Sequence, residues 1–107
     1  MDVTIDSRAE ATVRLAVTGE IDMATVDELA RALHEAMTRP GVTEVVADLA
    51  AVTFCDSSGI AAFDRAYAEG QHRGIVFRIS DPQPAVRRVL ELTGMLDTLI
   101  GIEEPPG

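Results

Sequence analysis

The run Val45-Val46-Ala47 sits in a segment, 42–49, bounded by turn residues and bracketed by two stretches of helical periodicity. A short apolar run of this kind suits a central strand covered on both faces. Before it, Val26, Leu29, Ala30, Leu33, Ala36 and Met37 form one apolar face at helical spacing. Thr25 with Glu28 three residues on reads as a capping box, and Pro40-Gly41 stops the helix. After the run, Asp56 and Ser57 can cap a second helix that turns Ile60, Phe63 and Tyr67 inward and ends near Gly70. Helix, buried strand, helix is the pattern of parallel units joined by right-handed crossovers, so the chain is expected to be α/β.

The flanking segments extend that pattern. Residues 11–17 alternate polar and apolar as a half-buried strand does, and Gly19 is expected to end it. Residues 2–6 are placed to pair with it as a hairpin, with Ser7-Arg8-Ala9-Glu10 as the turn. Residues 75–79 form the next strand. Pro84 suits a first helical turn, Val86, Val89, Leu90 and Thr93 follow at helical spacing, and Gly94 suits the C-terminal cap. A last short strand is expected over 98–102. The predicted order is β-β-α-β-α-β-α-β, in one mixed sheet with helices mainly on one face.

The sequence has 107 residues, enough for one domain over 1–102 and a short polar tail over 103–107. Only 4% of residues are aromatic and there is no Trp, so the core must be built from Val, Leu, Ile and Ala. Cys55 is the single cysteine, which excludes an internal disulfide framework. The formal charge is −9 and all nine basic residues are Arg. Such acidity disfavours nucleic acid, which needs a basic patch to displace counterions, and favours a partner with a basic face. No segment has the composition of a signal peptide or a bilayer span. A cytoplasmic domain with no nucleic-acid or membrane partner is expected.

The stretch Asp56-Ser57-Ser58-Gly59 joins a buried strand to an amphipathic helix. The N–H groups of a helix N-terminus tolerate negative charge, so a phosphate on Ser57 would leave the fold intact while changing the surface. Taken alone, the turn is more simply an N-cap. A serine hydrolase is disfavoured, because a nucleophile elbow needs glycines flanking the serine and only His34 and His72 could serve as bases. No enzyme is expected. Glu20 and Asp22 flank Ile21 and could bind a cation or an arginine, or simply favour the next helix as solvated acids. Asp22, Asp48 and Asp56 could in principle share a metal, but no spacing specifies a metal site and none is expected. Cys55 suits a small core residue better than a redox sensor. Without a Lys or a G-x-G-x-x-G run there is no phosphate-cradling loop, and no cofactor is expected.

Gly19-Glu20-Ile21-Asp22, then Ala47-Asp48-Leu49 with Val52, Phe54 and Asp56-Ser57-Ser58-Gly59-Ile60, then Pro84 to Leu90 with Thr93-Gly94-Met95-Leu96, stand in order along the chain. Over about residues 13–99 the sequence thereby resembles the STAS domain family, and within it the bacterial anti-sigma-factor antagonists. The resemblance implies partner switching. The unphosphorylated protein would bind an anti-sigma factor that is also a serine protein kinase, releasing a sigma factor to direct transcription. Phosphorylation at Ser57 would weaken that complex, and a phosphatase would reverse it. Asp56, Ser58, Gly59 and Ile60 would frame the phosphoacceptor, with Glu20 and Asp22 as acidic contacts and the protein a monomer or weak dimer.

Two features depart from the family pattern. The chain stops after Glu103-Glu104-Pro105-Pro106-Gly107, where a further C-terminal helix is common, and Ile60-Ala61-Ala62-Phe63 lacks a second glycine often found there. The alternative reading is a non-switching STAS module, an accessory or scaffold of a transporter or sensor complex.

Overall fold

A computed structural model describes residues 1–9 and 11–100. The chain runs through β1 (Asp2–Ala9), β2 (Thr12–Ile21), α1 (Val26–Met37), β3 (Glu44–Cys55), α2 (Ser57–Arg73), β4 (Val76–Ser80), α3 (Pro84–Leu92) and α4 (Leu96–Ile100). The sheet order is β1-β2-β3-β4, with β1 antiparallel to β2 and the pairs β2/β3 and β3/β4 parallel. The architecture is the mixed α/β sheet expected from the sequence.

Alternation along the strands sorts the two sheet faces. Val13, Leu15, Val17, Val45, Ala47, Phe77 and Ile79 are buried with Leu29, Leu33, Phe63, Val86 and Leu90 of the helices in one core. The Phe63 and Phe77 rings stack at 6.2 Å between centroids. Burying a side chain of that size stabilises by about 1.5–3 kcal/mol relative to leaving it exposed.

The opposite face carries ion pairs instead of helices. Arg14 Nη2 donates to Asp48 Oδ2 at 3.3 Å and Ser80 Oγ at 3.1 Å, and Arg78 Nε donates to Glu44 Oε2 at 2.9 Å. Arg14, Val46 and Arg78 lie side by side across β2, β3 and β4. Val46 is nonetheless buried. We attribute its cover to the apolar stems of the two arginines, which lie over apolar surface while their heads bind carboxylates. β3 is therefore covered on both faces, but only one cover is helical.

Several boundaries differ from the sequence expectation. The strand does not end at Gly19 but continues to Ile21, because Gly19 takes a φ of +96° that a side chain would strain and the ladder resumes beyond it. β1 continues to Ala9, paired with Thr12, so residues 7–9 are strand and not turn; Glu10 lies outside the described residues. β3 runs to Cys55, well past the expected Leu49. Gly70 does not stop α2, which caps at Gly74 with φ +72°. A Cβ on Gly70 would lie 2.5 Å from the Ile75 carbonyl oxygen, so this glycine serves close packing. The strand expected over 98–102 is absent from the described residues. There Leu96, Leu99 and Ile100, at helical spacing, form α4 with Leu99 fully buried, and the expected residues 101 and 102 lie outside the description. Pro84 opens α3, and Gly94, at φ +76°, follows it with its N–H on the Glu91 carbonyl, as expected.

Candidate functional site

β2 and β3 end together: Ile21 pairs with Cys55, and the Asp56 N–H donates to the Ile21 carbonyl at 3.1 Å. The loops that follow lie beyond the carboxyl ends of parallel strands, where α/β sheets commonly bind partners. One loop is Asp22 to Thr25, leading into α1. The other is Asp56, leading directly into α2.

Asp56 is the N-cap of α2. Its Oδ1 accepts the Ser58 N–H at 2.9 Å, the Gly59 N–H at 3.4 Å and the Ser58 hydroxyl at 2.5 Å. These bonds, the Ser58 hydroxyl foremost, hold the Asp56 carboxyl below its usual value of 3.8. Ser57 is the first residue of α2 and is exposed, and its hydroxyl makes no hydrogen bond among the described residues. The adjacent serines are thus opposite in character, one tied into the cap and one turned to solvent.

Gly59 is buried because the helix start presses onto both strands. A Cβ there would lie 2.5 Å from Cys55 Sγ and 2.7 Å from Ile21 Cγ2. Ile60, named from the sequence as a partner contact, is buried at 6% exposure. Its side chain packs in the core, since the helix turns position 60 toward the sheet, and is not available to a partner. Asp22 and Glu20 differ as well. Asp22 Oδ1 accepts the N–H groups of Ala24 and Thr25 at 3.0 and 3.1 Å, closing a tight Asx-type turn. Thr25 makes no side-chain cap of its own, so the capping box with Glu28 does not form; the Asp22 carboxylate already holds the Thr25 N–H that such a box would use. Glu20 is exposed, in register with Phe54.

Two residues that received no surface role from the sequence complete this end. Met23 is 80% exposed and Phe54 48%. Phe54 points outward because β3 carries one extra residue opposite Gly19-Glu20: Val52 pairs with Gly19, and Phe54 with Glu20. Such a bulge turns the alternation over and re-aims side chains beside functional sites. The missing signal was the broken alternation in Val52-Thr53-Phe54-Cys55. Met23 offered a simpler one, a large apolar residue in a polar turn.

The residues around Ser57 line none of the main clefts among the described residues. A cleft of about 600 Å³ lies between β4 and the later part of α2, lined by Tyr67, Gly70 and Phe77 among others, and none of the residues around Ser57 contributes to it. Neither histidine reaches Ser57. His72 is fifteen residues further along α2, about 22 Å at 1.5 Å per residue, and His34 bonds Glu69, about 18 Å along. Asp48 pairs with Arg14 on the open face while Asp22 and Asp56 cap their own turns, and no group of three or more ligating side chains could hold a metal among the described residues. No described helix is long and apolar enough to cross a membrane.

Cys55 lies beneath the cap, 3% exposed. Burial first, and the Asp56 charge second, push its thiol up to about 12. A buried neutral thiol is a poor nucleophile. Cys55 is therefore expected to resist iodoacetamide at pH 8 in the folded protein and to react in denaturant; mass spectrometry of the two samples checks this, and equal labelling would contradict it.

The STAS domain model matches residues 3–104. An anti-sigma factor antagonist from Mycobacterium paratuberculosis is 29% identical, with a TM-score of 0.78, covering 92% of this chain and 81% of its own. The anti-sigma factor antagonist SpoIIAA in its unphosphorylated form is 21% identical, with a TM-score of 0.79 over 92% of this chain and 85% of that one. The STAS domain of a SulP transporter from Vibrio cholerae is 22% identical, with a TM-score of 0.63 over 87% and 70%. With a family match across nearly its whole length and the fold to go with it, the chain belongs to the STAS domain family.

Proposed function

We propose that the protein is an anti-sigma-factor antagonist. In its unphosphorylated form it binds an anti-sigma factor that is also a serine kinase and so releases a sigma factor; phosphorylation at Ser57 ends that binding. The observation that carries this reading is the exposed Ser57 hydroxyl on the first turn of α2, at the same end of the sheet as the exposed Met23 and Phe54. A large exposed apolar pair suits protein docking better than a small ligand. Glu20, Asp22 and Asp56 supply acidic groups at that end, and Ser58 and Gly59 hold the backbone there.

The chemistry of the cap supports a switch that acts through surface charge. Asp56 already takes the N–H groups of Ser58 and Gly59, so a phosphate on Ser57 is not captured by them and projects outward. It adds a charge of about −1.5 to −2 next to an existing carboxylate. The fold is expected to persist while the docking surface gains a charge that its apolar part must desolvate on binding. A phosphatase restores the hydroxyl, and the protein works in the cytoplasm as a monomer or weak dimer.

A transporter accessory module shares the fold, and the likeness to the SulP domain carries the fold alone. The exposed serine at the end that also exposes Met23 and Phe54 favours the switch. The test is incubation with ATP and the anti-sigma factor kinase recovered from the source cells by the Ser57→Ala chain. One phosphate per wild-type chain is expected, mapped to Ser57, and a loss of at least a hundredfold in Ser57→Ala. A chain that gains no phosphate, and recovers a transporter subunit instead, would establish the accessory reading.

A further inference from the structure

We infer that Asp56 is the residue that restricts phosphorylation to Ser57, by locking the neighbouring Ser58 hydroxyl into the helix cap. The inference rests on the proposed function. It concerns which of two adjacent serines the kinase can use, a choice the sequence Ser57-Ser58 leaves open.

Transfer to either serine forms a bond from Oγ to the γ-phosphorus of ATP as the bond from that phosphorus to the β,γ-bridging oxygen breaks. ADP leaves, and the hydroxyl proton passes to a basic group of the kinase. The acceptor must therefore offer an oxygen in line with that phosphorus and a proton directed at the kinase. Ser57 can do both, being exposed with a hydroxyl free to rotate. Ser58 can do neither while its cap holds. Its hydroxyl and its own N–H both donate to one oxygen, Asp56 Oδ1, at 2.5 and 2.9 Å, which ties the side chain back onto the cap. The proton is directed at Asp56, the oxygen lies half-buried over the first turn, and hydrogen bonds to a carboxylate are among the stronger ones.

The alternative chemistry runs the other way: a carboxylate bonded to a serine hydroxyl can act as its base. The two differ in what happens when Asp56 is removed.

Five chains are compared with the recovered kinase and ATP, the site being mapped by mass spectrometry and folding checked by circular dichroism: wild type, Ser57→Ala, Asp56→Ala, Asp56→Ala/Ser57→Ala and Asp56→Asn/Ser57→Ala. Wild type carries its phosphate at Ser57. Ser58 labelling in Ser57→Ala is at least a hundredfold below that. It rises at least tenfold from there in Asp56→Ala/Ser57→Ala, and Asp56→Ala alone carries phosphate at both serines. The Asn chain keeps an acceptor oxygen for the Ser58 hydroxyl and stays within threefold of Ser57→Ala. Ser58 labelled in Ser57→Ala at near the wild-type rate would overturn the lock, as would no rise on removing Asp56. An equal rise in the Asn chain would assign the effect to charge. Loss of all labelling in a folded Asp56→Ala chain would assign Asp56 to kinase recognition. Absence of phosphate from wild type would instead overturn the function on which the inference rests.

Discussion

Ser57→Asp is expected to weaken binding of the anti-sigma factor by at least tenfold, while Ser57→Ala stays within about twofold of wild type. A tenfold change is about 1.4 kcal/mol. A charge desolvated against an apolar surface costs more than that. The introduced carboxylate has no local partner to neutralise it. The N–H groups of Ser58 and Gly59 belong to Asp56, and Glu20 and Asp22 stand at the ends of the same strands. It is therefore expected to meet the partner uncompensated, at the end of the sheet that also exposes Met23 and Phe54. Alanine removes only a hydroxyl that makes no bond among the described residues. Neither substitution should unfold the chain, because a negative charge near a helix N-terminus is favourable and alanine is a good helix former. Calorimetric titration of both variants at low and high salt reads the result. Equal affinity of the Asp variant and wild type would remove Ser57 from the docking surface. A full phosphate carries more charge than a carboxylate, so the tenfold figure is a lower bound for the modified protein.

What could be read from the sequence divides by the range of the interactions involved. The α1 stripe and the alternation over 11–17 depend on local periodicity, and both elements form there, although β2 runs on to Ile21. The Asp56 cap is equally local: its acceptor oxygen and its donors lie within three residues. The illegible features depend on a neighbouring strand. The broken alternation in Val52-Thr53-Phe54-Cys55 hints at an irregularity, but the place and number of extra residues on β3 are defined only by the register against β2. Gly70 looks like a helix stop until Ile75 is placed against it. Asp22 rather than Thr25 holds the start of α1 because the chain turns immediately after its paired residue Ile21, a geometry set by the end of β2. The last element is hard to read from sequence for a different reason. Five residues are too few to separate a strand period from a helical one, and Leu96, Leu99 and Ile100 satisfy the helix only when Leu96 is included. At the candidate site, the motif names Ser57 and its frame, and the resemblance adds Ile60 as a partner contact although the helical spacing already turns it inward. Position 60 follows the inward helix face shared with Phe63, and its burial follows from that spacing.

Gly59→Ala is expected to destabilise the protein by about 1–3 kcal/mol through overpacking. For a domain of this size that lowers Tm by roughly 5–15 °C. The added Cβ would meet Cys55 Sγ at 2.5 Å and Ile21 Cγ2 at 2.7 Å, and neither can retreat. Both side chains are buried on paired strands, and each offending atom is one bond from its own Cβ. The conformation itself is not the difficulty, since Gly59 does not take a positive φ. The first turn of α2 must therefore lift from the strands, and it carries Ser57 with it. That couples stability to function at a buried residue: the same variant should also slow phosphorylation of Ser57, by at least fivefold, at temperatures where it remains folded. Cys55→Ala in the Gly59→Ala background removes the nearer of the two clashing atoms. It should recover part of the lost Tm, although the same change in the wild-type chain lowers Tm by opening a small cavity. A sign reversal of that kind, read in thermal melts of the four chains, arises only if the two residues are in contact. A Gly59→Ala chain that melts with wild type, or a Cys55→Ala change equally harmful in both backgrounds, would mean that α2 does not rest on β2 and β3 as closely as the 2.5 Å approach requires.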